Sequence, residues 1–179
     1  ANLSGAESSK KIYYRSENRY TVTFNANGHG TEPATQTISE GGKATQPAEP
    51  TATGYTFGGW YTDQACNTVF DFNREITGNI TLYAKWTIKQ YTLDFGAGEG
   101  GSVTATVGGK EISSPATLNY GTSVKLTATP SGENAFAQWV DGSGEKVSTA
   151  NPYTFTLTSN KTLKAEFSKP TTVYLKPSH

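Results

Sequence analysis

Few residues in this chain are of the types that carry covalent chemistry. The 179 residues include one cysteine, Cys66, and two histidines, His29 and His179. A catalytic Ser or Cys needs a His within reach and a third group that orients that His. His29 falls in a predicted turn, His179 is the last residue, and Cys66 belongs to no catalytic signature. We therefore interpret Cys66 as buried packing and expect that the protein is not an enzyme.

Four carboxylates, Asp94, Glu99, Asp141 and Glu166, are of the type that hydrolyses glycosidic bonds in pairs. Asp94 and Glu166 fall on outward strand positions, so solvated surface charge is the better interpretation. Residues 141–145 place oxygen ligands at the short spacing that calcium uses, but they lack the further acidic residues of a full calcium loop. They predict a hairpin turn, and we expect neither a metal nor another cofactor.

Flat aromatic side chains beside polar residues could instead stack on sugar rings. The candidates are Trp60, Tyr61, Tyr83, Trp86 and Trp139. The tryptophans occupy inward or bulge-adjacent positions that recur along the chain, which is what a small core requires. Tyr61 and Tyr83 fall on exposed positions and are therefore the candidate ligand-binding residues.

Composition excludes two classes of partner. Fifteen basic and fifteen acidic residues cancel to a formal net charge of zero, and no stripe of Lys and Arg is present to neutralise phosphates. We therefore expect no nucleic-acid binding. No basic cluster and no apolar run of spanning length occur, so we expect no direct membrane insertion by this segment. We expect a monomer.

The elements that must position any site are duplicated. Three segments recur in the same order: residues 20–24 at 91–95, residues 57–60 at 136–139, and residues 77–86 at 158–167. The offsets are 71, 79 and 81 residues, so only the connections have grown. Duplicated units of this size indicate a modular protein rather than an enzyme built around one cleft.

Period-two alternation in both units predicts strands. Phe57 and Trp60 are three residues apart, so a bulge at residues 58–59 is needed to bring both rings to one core. Residues 73–76 are long enough for one helical turn. The predicted core residues are Tyr20, Phe24, Phe57, Trp60, Cys66, Phe72, Trp86, Tyr91, Phe95, Phe136, Trp139, Phe155 and Phe167.

The predicted fold class is mainly β (β-rich α+β), with two small tandem domains and at most one short helix in each. We place a flexible lead-in at residues 1–19, with an extra strand or a linker at 11–15. The domains span residues 20–89 and 90–169. Residues 170–179 form a terminal strand or begin a further domain.

The first unit resembles the Listeria–Bacteroides repeat, also called the internalin-type B-repeat. The strings that carry the resemblance are YTVTFNANGHG, GYTFGGWYTD, CNTVFDF and ITGNITLYAKW. The second unit resembles the divergent form of that repeat through GGSVTATVGG, GTSVKLTATP, FAQWVD and NKTLKAEF. The resemblance implies small β-grasp-like units on secreted and surface-attached bacterial proteins, with roles in spacing, display and adhesion and no catalytic motif.

We therefore expect a non-enzymatic spacer or adhesion module at the bacterial cell surface or outside the cell. Two alternatives stay open: a carbohydrate-binding module that holds polysaccharide through Tyr61 and Tyr83, and an adhesin domain that pairs an edge strand with a host or matrix protein. In a bacterial source, the glycosylation-type asparagines Asn2, Asn79 and Asn160 are turn residues.

Overall fold

The computed structural model describes residues 11–13 and 16–171, and all regular structure in them is β. Within those ranges there are thirteen strands and no helix, so no helix there could cross a bilayer. The mainly β class with two tandem repeat domains is confirmed. Residues 11–13 are not in a strand. The rest of the proposed extra strand, residues 1–10 of the lead-in and the proposed terminal strand from residue 172 lie outside the described residues.

Contacts divide the chain into two units. The first runs to Ala52 and takes in Phe57–Trp86, and the second takes in Thr53–Thr56 and the residues from Thr87 on. Each unit has its own buried core. The domain boundaries inferred from the sequence, and the β-grasp-like description, stay predictions.

The first unit is built on a four-stranded sheet. Its strands are β1 (Arg19–Asn25), β2 (Gln36–Ser39), β3 (Tyr55–Tyr61) and β4 (Ile80–Ile88), in the order β2-β1-β4-β3. β1 pairs with β2 antiparallel and with β4 parallel. Alternation along the central pair buries Val22, Phe24, Leu82 and Ala84 on one face, with 0–1% of each exposed.

The second unit has two sheets around one core. Its strands are β5 (Gln90–Ala97), β6 (Gly101–Val107), β7 (Lys110–Ile112), β8 (Ala116–Asn119), β9 (Thr122–Pro130), β10 (Ala135–Asp141), β11 (Lys146–Ser148), β12 (Tyr153–Leu157) and β13 (Lys161–Ser168). One sheet has the order β11-β10-β13-β5-β8 and the other β12-β9-β6-β7. Leu93, Leu126, Trp139 and Leu157 are fully buried in that core.

Four strands of the second unit repeat the sheet of the first. β8-β5-β13-β10 follows the same path as β2-β1-β4-β3, with the first and last strands again parallel in the centre. Strands β6, β7, β9, β11 and β12 lie in the connections between these four. The sequence offset rises after the first recurring segment because the β6–β7 hairpin lengthens the first connection.

An asparagine joins the parallel pair in both units. The Oδ1 atom of Asn79, just before β4, accepts a hydrogen bond from the backbone N–H of Thr21 at 2.8 Å. Asn160, just before β13, accepts the same bond from Thr92 at 2.9 Å. Each amide oxygen satisfies an N–H at the start of the parallel ladder. Of the asparagines that resemble glycosylation sites, Asn79 and Asn160 therefore have a structural role, and Asn2 lies outside the described residues.

The buried core is more aliphatic than predicted. Trp60, Trp139 and Phe24 have at most 2% of their surface exposed. The other aromatic residues of the predicted core are half-buried and pack against the two clusters: Tyr20, Phe57, Phe72, Trp86, Tyr91, Phe95, Phe136, Phe155 and Phe167. These rings pack around the outside of the two clusters, whose buried residues are mainly Leu, Val, Ile and Ala. Phe70, which was not predicted, is buried.

The helical turn predicted at residues 73–76 is wrong. The N–H of Arg74 donates to the carbonyl of Asp71 at 3.2 Å, which closes a single turn. The N–H of Ile76 instead donates to the carbonyl of Gly42 at 2.8 Å, and the Ile76 side chain is buried. A helix is absent because Ile76 is held by a distant backbone group and by the core.

The irregularity between the paired aromatics is present in both units. Gly59 has φ of +106°, which L side chains rarely adopt, and the rings of Phe57 and Trp60 are 5.5 Å apart. In the second unit the register of β10 against β13 shifts between Phe136 and Gln138. The shift lets two aromatic residues three apart share one core.

We predict that Asn79→Ala and Asn160→Ala each destabilise their own unit by about 1 kcal/mol, because each leaves an N–H of the parallel pair unpaired. Asn79→Asp and Asn160→Asp keep an oxygen acceptor and should cost less. Urea unfolding followed by NMR peaks of each unit measures both. Equal losses for the Ala and Asp variants would contradict the role of the oxygen.

We also predict that Gly101→Ala destabilises the second unit by about 1–3 kcal/mol. A Cβ at this position would overlap the ring of Phe167 and lie 2.6 Å from the carbonyl oxygen of Thr129. Gly96→Ala in β5 is the matched control, because its Cβ would meet no atom within 4 Å. The same unfolding experiment compares them, and equal stabilities would refute the predicted overlap.

Candidate functional site

The two tyrosines predicted to bind sugars lie on neighbouring strands, Tyr61 at the end of β3 and Tyr83 in β4, and both are half-buried. The Nζ atom of Lys85 lies 5.1 Å from the centroid of the Tyr61 ring. This cation–π contact occupies a ring face that a sugar would need. Tyr61 is therefore a weaker stacking platform than its exposed strand position suggested.

A different site is formed by two connections of the first unit. The turn after β1 and the loop after β3 face each other across an open cleft of about 290 Å³. Its lining residues are Asn27, His29, Gln64, Ala65, Cys66, Lys85 and Trp86. Sequence reasoning weighed His29 and Cys66 as catalytic groups, interpreted them as a turn residue and as buried packing, and missed Asn27, Gln64 and Lys85. We call this site the loop cleft.

Asn27 holds the two sides of the loop cleft together. Its Nδ2 group donates to the carbonyls of Ala84 at 3.0 Å and Gln64 at 3.1 Å, and it lies 3.6 Å from the Sγ of Cys66. One amide therefore ties the turn after β1 both to β4 and to the opposite loop.

The interpretation of Cys66 as buried packing needs correction. The side chain is half-buried in a loop, with its Sγ beside the Asn27 amide. Its backbone has φ of 56°, and Asn27 has φ of 54°; these are the two non-glycine residues with positive φ in the described parts of the chain. Cys66 lies outside the core because its loop places the thiol beside the Asn27 amide and the carbonyls of Gln64 and Ala84.

Trp86 forms the rigid wall of the loop cleft. Its Nε1 donates to the carbonyl of Ala26 at 2.8 Å, and its ring is 5.6 Å from that of Phe57. The His29 ring meets it edge-on at 6.1 Å. A Cβ on Gly30 would lie 3.2 Å from the indole, so the turn packs closely against this ring. These contacts fix the position of the indole.

The candidate carboxylates are engaged in local bonds. Asp94 accepts a hydrogen bond from the Ser114 hydroxyl at 2.8 Å, and Glu166 accepts one from Gln138 at 2.8 Å. Glu99 is exposed. Among residues 11–13 and 16–171, no three His, Cys, Asp or Glu side chains are grouped as a metal site would require.

Asp63 and Asp141 each cap a turn. The backbone N–H groups of Thr68 and Asn67 donate to Asp63 and hold the pKa of its carboxyl below the usual 3.8. The Ser143 hydroxyl and then the Glu145 and Ser143 N–H groups lower the pKa of Asp141 in the same way. Residues 141–145 thus form the hairpin turn between β10 and β11 that was predicted, with the Asp141 carboxylate bonded to the turn itself.

Comparison with known proteins identifies the class of both units. Residues 20–85 match the Listeria-Bacteroides repeat domain, and residues 91–171 match the divergent InlB B-repeat domain. The resemblance read from the sequence is confirmed. Residues 20–85 and 91–171 thus match one repeat of each family, in tandem.

Individual relatives are much longer than the matched segment. A protein of Evansella cellulosilytica whose name calls it a Gly-rich membrane protein is 36% identical over 88 residues, which is 49% of this chain and 10% of that protein. A second protein of the same organism, named as a membrane protein, is 35% identical over 124 residues, or 68% of this chain and 17% of its own length. Internalin H of Listeria monocytogenes is 42% identical over 72 residues, 39% of this chain and 13% of internalin H.

The Asp63 turn should open only in acid. A carboxyl whose folded pKa lies below its unfolded value stabilises the fold above pH 3.8, and this contribution is lost as the pH falls through the folded pKa. We predict that the NMR shifts of the Asn67 and Thr68 amide protons titrate with a midpoint below 3.8. Asp63→Asn should abolish that titration, and a midpoint at or above 3.8 would contradict the assignment.

Proposed function

We propose that this chain is a non-enzymatic spacer and display module of a secreted or surface-attached bacterial protein. The observation that carries the proposal is the parallel pairing of the first and last strands of each repeat, β1 with β4 and β5 with β13. Membership of two surface-type repeat families and the similarity to internalin H support the location outside the cell.

The parallel pair suits a spacer under tension. Because both strands run in the same direction, the chain enters each unit at one end of the pair and leaves it at the other. Tension along the chain therefore pulls the two strands past each other and loads their hydrogen bonds together. Pulling apart the two free ends of an antiparallel hairpin would instead break the bonds one after another. Each repeat adds length and resists extension.

Edge strands weigh against binding by strand addition. The edge strands β2, β7, β8, β11 and β12 are only three to five residues long. β3 is the longest edge strand, but its end is bridged by Val69, and Phe70 donates to the Trp60 carbonyl there at 2.8 Å. Short or covered edges offer little for a partner strand to extend. Adhesion through an added strand is the weaker function for these units.

Force spectroscopy tests the spacer function directly. Pulling the chain from its two ends should give two separate high-force unfolding events.

The comparison variant carries Arg19→Cys and Glu40→Cys in a Cys66→Ser background, so that force peels β2 from β1. The residues at these two positions lie at one end of an antiparallel pair, in which Arg19 faces Ser39. We expect the first unit to yield at about half the force or less in this geometry, because its bonds break in succession. Equal forces in the two geometries would refute the mechanical role of the parallel strand pair.

A further inference from the structure

The two units share the frame on which the loop cleft is built. Gly30 packs beneath Trp86 in the first unit, and Gly101 packs beneath Phe167 at the corresponding place in the second. The turns that contain these glycines, residues 25–30 and 96–101, have the same length. A close approach of glycine to the ring at the end of the last strand is therefore part of the common fold.

On that frame the first unit adds polar side chains. At the corresponding positions the second unit has glycine in place of Asn27 (Gly98) and of His29 (Gly100). It has Glu166 in place of Lys85. In the second unit the backbone N–H of Gly98 donates to the carbonyl of Ala165 at 2.8 Å. In the first unit the Asn27 side chain makes the corresponding bond to Ala84. Asn27 therefore has a role in the fold, whereas the second unit forms the same frame without the side chains of His29 and Lys85.

Backbone strain is concentrated at the same place. Asn27 and Cys66, the positive-φ pair described above, approach each other across the loop cleft. Left-handed backbone is costly for Cys66, whereas asparagine adopts it more readily in turns, and strained residues of this kind cluster where a ligand is bound. The Asn27 hydrogen bonds and the Trp86 bond to Ala26 hold the cleft in one conformation before any ligand arrives.

The lining chemistry defines the ligand. Lys85 contributes a cation, Gln64 an exposed amide and Trp86 an aromatic wall, and no carboxylate is among the lining residues. The nearby Asp63 carboxylate is bonded to its own turn. We propose that the loop cleft binds an acidic saccharide, a pyranose ring that carries a carboxylate. The indole packs on the ring carbons and the amide bonds a hydroxyl group. The Lys85 ammonium, which lies over the Tyr61 ring in the free protein, pairs with the carboxylate.

This inference goes beyond the spacer function, and either can fail without the other. The test titrates the full ¹⁵N-labelled chain with a tetrasaccharide of galacturonic acid and follows the Trp86 Nε1–H and Asn27 side-chain NMR signals. The uncharged tetrasaccharide of galactose and free galacturonate are parallel titrations. We expect shifts confined to the loop cleft, with a dissociation constant of roughly 1 mM or tighter. Free galacturonate should move the same signals, because a single ring fills the site.

Two variants and one matched control assign the contacts. Lys85→Glu places at this exposed position the residue type that the second unit has there, Glu166. It should weaken binding about fivefold or more. Asn27→Gly removes the amide while keeping a residue that tolerates positive φ, and it should also weaken binding. Lys164→Glu reverses an exposed charge in the second unit and should leave the affinity unchanged.

Three results would overturn the proposal. One is the absence of cleft shifts at 10 mM tetrasaccharide, about tenfold above the expected dissociation constant. The second is equal binding of the uncharged tetrasaccharide, which would remove the role of the carboxylate. The third is an equal loss of affinity in Lys85→Glu and Lys164→Glu, which would reduce the effect to general charge. The force experiment on the strand pair is unaffected by any of these outcomes.

Discussion

The parallel pairing of the first and last strands is the constraint on which each unit depends. Val22 faces Ile80 in one unit, and Leu93 faces Lys161 in the other. Parallel neighbours cannot be joined by a tight turn, so the strands that lie between them in the chain must pass outside the pair. The orders β2-β1-β4-β3 and β8-β5-β13-β10 follow from this requirement. Because the pair joins residues distant in sequence, folding of each unit closes a long loop. The hydrogen bond of Asn79 or Asn160 then holds the start of the parallel ladder.

The two units differ in whether the indole N–H of their repeated tryptophan has a hydrogen-bond partner. Trp139 donates its indole N–H to the carbonyl of Ala150 at 2.9 Å, within the connection that runs from β11 to β12. Trp60 occupies the corresponding place, and its Nε1 is buried without a hydrogen-bond partner among the described residues. A buried unpaired donor costs about 1–3 kcal/mol. The first unit therefore keeps an unsatisfied indole N–H at a core position where the second unit pairs the indole with its β11–β12 connection.

The sequence predicts what depends on local periodicity and fails where a distant group decides the conformation. Alternation around Val22 and Phe24 is sufficient to place these side chains inside, because strand geometry alone separates the two faces. Nothing local in residues 73–76 reveals that Ile76 bonds to Gly42. Likewise, the loop cleft depends on Asn27 reaching Gln64 and Ala84 across the unit. The recurrence of an asparagine before the last strand was visible in the sequence, but its bond to the first strand required the parallel register.

The duplication separates the groups that build the fold from those that are free to carry function. Whatever both units share, including the parallel pair, its asparagine and the glycine beneath the terminal ring, is required by the sheet. Whatever only one unit has must be explained by local stability or by a ligand. The inserted strands of the second unit meet the first explanation, since they cover a core and satisfy Trp139. Asn27 meets it as well, because its amide bonds to Ala84 and Gln64. The exposed side chains of Lys85 and Gln64 in the loop cleft are left to the second explanation. A spacer that resists force through its central strands can carry such a site on its loops, since the two depend on different parts of the unit.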